Sequence, residues 1–167
     1  METREMVTVR GQTNMEIAER DELNRAIELL NNLIANNRGL VEIYETAAPR
    51  LQTAANNELL QRYAAQHNNY ISELSNLIVS YGGTPNTGAN SNAVFKKIWI
   101  SLKAALTAGD GPIMKEAAQA AENILELYSE AMNEAMPDAA RNMIRHQMSD
   151  TRVTCDKLSA LDTVYNS

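Results

Sequence analysis

Apolar residues recur at alternating steps of three and four positions along most of this chain, which is the spacing of one face of an α-helix. The pattern predicts five helical stripes, at residues 23–48, 60–81, 94–106, 114–135 and 140–161. A short stretch with strand character occurs at residues 6–9, close to the N-terminus. The pattern as a whole predicts an all-α protein.

Proline and glycine mark the predicted ends of these helices. Pro49 closes the first helix, because proline lacks the amide hydrogen that a helix interior needs. Gly82 and Gly83, followed by Pro85, predict a left-handed cap on the second helix. Asp110 is positioned to cap the fourth helix. The connections after the first and fourth helices are short, so each of these helices is predicted to be antiparallel to the next.

A linker rich in Gly, Asn and Ser at residues 82–92 separates the two predicted hairpins and leads into the short third helix. Two antiparallel hairpins joined by a long crossover describe a ferritin-like four-helix bundle, here with a short fifth helix inside the crossover. A chain of 167 residues is long enough for one such domain and too short for two. We therefore assign the bundle to residues 21–164.

Residues 1–20 stand outside this scheme and are interpreted as an N-terminal arm, and residues 165–167 as a C-terminal tail. A lone strand at residues 6–9 would need a partner, which another chain can supply by edge pairing. Chain termini are otherwise commonly disordered. The arm is predicted to be either disordered or linked to assembly, and a homo-oligomer is the expected state.

Charge and composition narrow the classes of function. The net charge is -6 and no face rich in Lys and Arg stands out, so nucleic acid is not expected as a partner. No apolar run approaches the ~20 residues of a membrane span, and the N-terminus lacks the apolar stretch of a signal peptide. The single Cys155 cannot form an internal disulfide. We therefore expect a cytoplasmic protein.

The ligand set of a di-metal bundle is incomplete in this sequence. Such bundles use Glu-x-x-His pairs, because residues i and i+3 project from one face of a helix. Ala64 and Met143 occupy the positions three residues before His67 and His146. The remaining candidate metal ligands are Glu42, Glu45, His67, Glu73, Glu122 and Glu126. The glutamates lie beside the apolar stripes, so they are interpreted either as a metal site or as solvated flanks of the helices.

His67 lies on the inward stripe itself, and polar residues from other helices point inward with it. These predicted core positions are Asn37, Tyr44, His67, Tyr70, Tyr128, Gln147 and Thr151. One hypothesis is a hydrogen-bonded polar layer that fixes the register of the helices. The other is a remodelled metal or small-ligand pocket, for which the alanines of the fourth helix leave space. Alanine stripes more often let helices approach closely, which favours the first hypothesis.

Three stretches carry a family resemblance: NNLIANNRGLVEIYETAA, LLQRYAAQHNNYISELSNLIVSYGGTP and IWISLKAALTAGD. They resemble a bacterial family of ferritin-like four-helix-bundle proteins of uncharacterised function, over residues 23–161. The resemblance implies the fold and no particular activity, because the family is grouped by fold and sequence. In such relatives the fourth helix is richer in Glu where this chain has Ala117, Ala118 and Ala121. A His commonly stands where this chain has Cys155, so candidate ligands are missing.

Two functions therefore remain open. The first is a non-enzymatic bundle that acts through self-assembly or protein interaction, with no catalytic residues and no cofactor. The alternative is a ferritin-like di-iron protein, or one that binds another divalent metal, with oxidase or iron-handling activity. The missing Glu-x-x-His pairs and the alanines of the fourth helix favour the first.

Overall fold

Five α-helices account for nearly all of the chain in the computed structural model, which describes residues 2–88 and 91–166, with side chains from residue 14 onward in those ranges. The helices are α1 (Glu2–Ala47), α2 (Ala54–Ser80), α3 (Ala93–Ala105), α4 (Asp110–Ala131) and α5 (Asp138–Asn166). A 3-10 turn at Ala48–Arg50 follows α1, and no strand occurs in the described ranges. The predicted all-α class is confirmed.

The helices pair in the predicted order. α1 and α2 form one hairpin and α4 and α5 the other, while α3 lies in the crossover and packs against α4 and α1. α1 also packs against α4, so the two hairpins share one core. None of the helices in the described part of the chain is long and apolar enough to cross a membrane.

Two glycines fix the end of α2, as predicted. Gly82 has a φ of 82°, in the left-handed region that favours glycine. Its amide donates to the Val79 carbonyl at 3.0 Å, and the Gly83 amide donates to the Ile78 carbonyl at 3.0 Å. This pair of bonds is a Schellman cap, which satisfies carbonyl groups that the helix end would otherwise leave unpaired.

Small side chains on α4 allow the two hairpins to approach closely. Ala117, Ala120 and Ala121 are fully buried, and Ile113 and Ile124 are buried on the same helix. Each of the two fully buried isoleucines contributes about 1.5–3 kcal/mol to stability. The small alanine side chains let α4 lie close to the neighbouring helices at the centre of the core.

Asparagine side chains on α1 hold the crossover linker in place. Asn31 accepts a hydrogen bond from the amide of Asn86 at 2.6 Å, and Asn36 accepts one from the amide of Asn92 at 2.8 Å. The Asn92 side chain in turn accepts from the amide of Phe95 at 3.0 Å, which caps α3. Backbone N–H groups of this irregular segment are thus paired with the side-chain oxygens of asparagines on α1.

Asp110 does not cap α4, so that prediction was wrong. The N-cap position is Gly109, and the Asp110 carboxylate instead accepts hydrogen bonds from the amides of Gln52 at 2.8 Å and Thr53 at 3.0 Å. Burial opposes ionisation of Asp110, but these hydrogen bonds outweigh it and lower the pKa of the carboxyl below its ordinary value. Asp110 therefore ties the connection before α2 to the start of α4.

The N-terminal part of α1 projects beyond the rest of the bundle. α1 has 46 residues and α2 has 27, which correspond to about 69 Å and about 40 Å at ~1.5 Å per residue. The chain after α2 turns at the level of Ile27, since a Cβ atom on Gly83 would lie 2.8 Å from its side chain. Residues 14–22 are all exposed. Residues 2–22 therefore form a projection of about 30 Å.

Both terminal segments are helical where the structure describes them. Residues 6–9 belong to α1 rather than to a strand, because β-branched residues disfavour a helix only weakly and a lone strand has no partner. Met1 and the side chains of residues 1–13 lie outside the described residues, so the role of the predicted arm at residues 1–20 stays a prediction. At the other end, α5 continues into the predicted tail as far as Asn166, and Ser167 lies outside the described residues.

Gly39 allows the crossover to lie directly on α1, which gives a test of the packing. A Cβ atom at Gly39 would lie 2.7 Å from the Cβ of Ser91. We expect Gly39→Ala to destabilise the protein by about 1 kcal/mol, because the clash outweighs the better helix propensity of alanine. In a Ser91→Gly background the same change should stabilise by up to about 1 kcal/mol. Urea unfolding measures both, and the same sign in both backgrounds would contradict the contact.

Candidate functional site

A directional ring of hydrogen bonds crosses the centre of the bundle and visits all four long helices. It begins at His67 on α2, whose Nδ1 lies 2.7 Å from Asn37 Oδ1 on α1. Asn37 Nδ2 donates to the Tyr128 hydroxyl on α4 at 2.9 Å. The Tyr128 hydroxyl donates to Gln147 Oε1 on α5 at 2.6 Å, and Gln147 Nε2 donates back to the Tyr70 carbonyl of α2 at 3.4 Å. We call these residues the polar ring.

The orientation of the Asn37 amide fixes the tautomer of His67. Asn37 Nδ2 also donates to the Leu33 carbonyl at 2.8 Å, and a carbonyl oxygen can only accept. The Asn37 oxygen therefore faces His67, and Nδ1 of the imidazole must carry the hydrogen. His67 Nε2 is left as an acceptor, and it has no hydrogen-bond partner among the described residues.

Burial keeps the groups of the polar ring uncharged. It lowers the pKa of His67 from 6.5 to about 3. It also raises the pKa of the Tyr128 and Tyr44 hydroxyls above their ordinary range, so both remain protonated. Cys155 is buried as well, and burial raises the pKa of its thiol, which opposes formation of a reactive thiolate. These four buried side chains are therefore kept in their neutral forms.

All seven residues of the predicted polar layer are buried, although they do not all belong to the ring. Thr151 donates to the Gln147 carbonyl at 2.7 Å and supports it from one turn away. The Tyr70 hydroxyl accepts from Gln66 Nε2 at 2.6 Å and donates to Asp150 Oδ2 at 3.3 Å, which joins α2 to α5. The Tyr44 hydroxyl has no hydrogen-bond partner among the described residues, and its ring packs at the edge of His67 with 6.2 Å between centroids.

The structure does not bring the candidate metal ligands together. Glu42, Glu45, Glu122 and Glu126 are exposed, whereas His67 is buried. The remaining candidate, Glu73, is half-buried, and its Oε2 lies 3.5 Å from Gln147 Nε2 at the edge of the ring.

The donor atoms present do not fit a carboxylate-bridged di-metal centre. Among the described residues no group of three or more His, Cys, Asp or Glu side chains could hold an ion. Bridging carboxylates would have to point into the core, where the polar ring and the alanines of α4 lie instead. His146 and Asp150 form an exposed i, i+4 pair with 3.4 Å between Nε2 and Oδ2.

Several polar contacts were absent from the sequence-based interpretation. The side chains of Asn92 and Asn123 bond to each other in both directions, at 3.3 and 3.1 Å, and join the start of α3 to α4. Tyr165 near the C-terminus accepts from Asn56 Nδ2 at 2.8 Å. The sequence signalled these contacts only through its many asparagines. It could not show which residues pair, because the partners lie 31 and 109 positions apart along the chain.

The fold defines the class of protein. It resembles the solved structure of the bacterioferritin-related protein from Bacteroides fragilis, described as a dodecameric thioferritin, with a TM-score of 0.66 over 83% of this chain and 84% of that chain. The two sequences are 12% identical, so the likeness concerns the fold alone. The chain has a ferritin-like bundle fold, as predicted.

The sequence itself gives the family. The model of the family described as Domain of unknown function (DUF2383) matches residues 25–134, from α1 to just beyond α4. The match covers more than half of the chain, and the protein belongs to this family. No curated protein matches the chain. The resemblance to a ferritin-like family of uncharacterised function is confirmed.

Two buried tyrosines give matched tests of the polar ring. Tyr128→Phe removes one donor and one acceptor, and leaves Gln147 Oε1 and one Asn37 hydrogen unpaired, so we expect a loss of about 2 kcal/mol in the free energy of unfolding. Tyr44→Phe removes a hydroxyl without a partner among the described residues, so we expect a neutral or stabilising effect. Urea unfolding distinguishes the two variants, and equal losses would contradict the ring.

The buried His67 should make stability depend on pH. The folded state keeps His67 neutral down to about pH 3, whereas the unfolded chain binds a proton below about pH 6.5. Below about pH 6.5 the unfolded state therefore binds more protons than the folded state. The contribution of His67 to the free energy of unfolding is fully present above this pH and falls as the pH decreases. Between about pH 6.5 and 5 we expect this group to remove about 2 kcal/mol. Urea unfolding at several pH values measures the effect.

Two asparagine variants identify which histidine is responsible. His67→Asn keeps a donor near Nδ1 and does not titrate, so the His67 component of the slope should vanish. His146→Asn should retain the pH dependence of the natural sequence, because its side chain is exposed. A slope that disappears with His146→Asn and survives His67→Asn would exclude a neutral buried His67 as its cause.

Proposed function

We propose that this protein is a non-enzymatic ferritin-like bundle that acts through self-assembly. The observation that carries the proposal is the projection of α1, where every residue from 14 to 22 is exposed. Met15 and Ile17 are 66% and 50% exposed on it. An isolated helix of this length is marginal in water, so contact with another molecule would stabilise the projection.

The core supports a structural role. A ring of neutral, hydrogen-bonded side chains crosses it, and the candidate metal-binding carboxylates lie mainly at the surface. The bacterioferritin-related protein that shares the fold is described as dodecameric, which fits a bundle used as a building block. A homo-oligomer in the cytoplasm is therefore the proposed state, and no cofactor is required for it.

Native mass spectrometry of the full chain and of a variant lacking residues 1–20 tests this function. We expect a defined oligomer for the full chain and a smaller assembly for the variant, with the helices of the bundle retained, because residues 14–20 bury no side chain. A control replaces Val79 and Val153 by serine. These valines are 61% and 70% exposed elsewhere on the bundle, and the control should keep the full mass.

Two outcomes would contradict the proposal. The first is a full chain that stays monomeric at every concentration. The second is about two irons per chain after incubation with ferrous iron and desalting, which would support the alternative of metal handling. Elemental mass spectrometry of the same sample gives the iron content.

A further inference from the structure

A groove between α1 and α3 is open on the surface of the bundle. It has a volume of about 310 Å³. Its lining includes Gly39, Glu42, Ile43, Phe95, Trp99 and Ile100. Ile100 is 69% exposed, the highest value among the large apolar side chains of α3. The groove therefore presents apolar surface that the described chain does not cover.

The helix beside the groove is basic, although the protein is acidic overall. α3 carries Lys96, Lys97 and Lys103 and no acidic residue, whereas the net charge of the chain is -6. All three lysines are exposed, and Lys96 lines the groove. Lys103 lies over the Trp99 ring, with 5.5 Å from its Nζ to the ring centroid. An occupant that combines apolar and acidic side chains would complement this surface.

The projection of α1 has that combination. Its described part, residues 14–22, carries four carboxylates and one guanidinium beside the exposed Met15 and Ile17. At about 100° per residue, Asp21 lies on the same side of α1 as Gly39, and Ile17 lies within about 40° of it, whereas Met15 is about 120° away. The face that borders the groove thus continues into the projection as Ile17 and Asp21.

The projection cannot reach the groove of its own chain. Ile17 and the groove at residues 39–43 belong to one continuous helix, and about 36 Å of that helix separates them. The occupant must therefore come from another molecule. In an antiparallel pair of α1 helices, each projection would lie beside the groove of the other copy, so one contact face serves both molecules.

We propose that the projection of α1 docks on a second copy of this chain, antiparallel to its α1, with Ile17 in the groove between α1 and α3 and Asp21 beside Lys96. The inference rests on the proposed self-assembly and names the surface that carries it. The two-fold relation forms every contact twice, so each substitution acts at two places in the dimer.

A matched pair of serine variants tests the face. Ile17→Ser should raise the dimer dissociation constant about tenfold, since it removes the apolar contact twice. Met15→Ser should leave the constant unchanged, because Met15 points away from the groove although it is more exposed. Sedimentation velocity over a range of concentrations measures both. Equal effects of the two variants would overturn the proposed face.

A charge exchange tests the partner side of the contact. Asp21→Lys and Lys96→Glu should each weaken the dimer about tenfold, because each places like charges together twice, and the double variant should restore it. Asp156→Lys and Lys157→Glu make the same charge changes at exposed positions of α5 and serve as controls. Both controls should leave the constant unchanged.

The results separate this interface from self-assembly itself. If the chain assembles and neither the serine pair nor the charge exchange changes its mass or affinity, the interface is wrong and the proposed function stands. If the natural sequence is monomeric, both are wrong. If it is monomeric and binds anionic phospholipid vesicles through the lysines of α3, the basic face belongs to a lipid surface instead.

Discussion

The polar ring is the constraint on which the rest of the bundle depends. Each of its bonds joins a different pair of helices, and the fixed orientation of Asn37 makes every donor face an acceptor. A shift of one helix along its neighbour would leave buried donors and acceptors unpaired, at about 1–3 kcal/mol each. Apolar packing against the alanines of α4 tolerates small shifts more easily. The ring therefore selects one register, and packing supplies most of the stability.

The same ring explains why this ferritin-like fold does not carry the usual ligand geometry. A carboxylate placed among neutral groups in the core would need a cation or several donors to offset its desolvation. In this chain His67 uses Nδ1 to donate to Asn37, and Glu42 and Glu45, the candidate ligands on α1, are exposed to solvent. Fold and chemistry are separable here, because a ferritin-like arrangement of helices encloses a ring of neutral amide, imidazole and phenol groups.

Much of the fold follows from the sequence, because helices are specified by local periodicity and by residues such as Gly82 that act within a few positions. The inward placement of His67, Asn37 and Gln147 was predictable for the same reason. Their pairing was not, because it depends on the relative rotation of four helices. Asp110 was wrongly predicted to cap α4. An acidic residue at the start of a helix can equally well accept hydrogen bonds from the backbone of a neighbouring loop, as Asp110 does.

The proposed association depends on how the fold supports the projection of α1. Within the bundle, α1 is held by α2, α4 and the crossover linker, so residues after 23 are helical because their side chains pack. Residues 14–22 have no such support. They nevertheless extend a helix that is already formed, so the unfavourable nucleation step does not have to be repeated. Part of the conformational entropy of the projection is thus already lost in the free bundle, which would lower the entropic cost of the proposed association. In the proposed dimer, the packed part of α1 and its exposed projection would for this reason be complementary parts of one long helix.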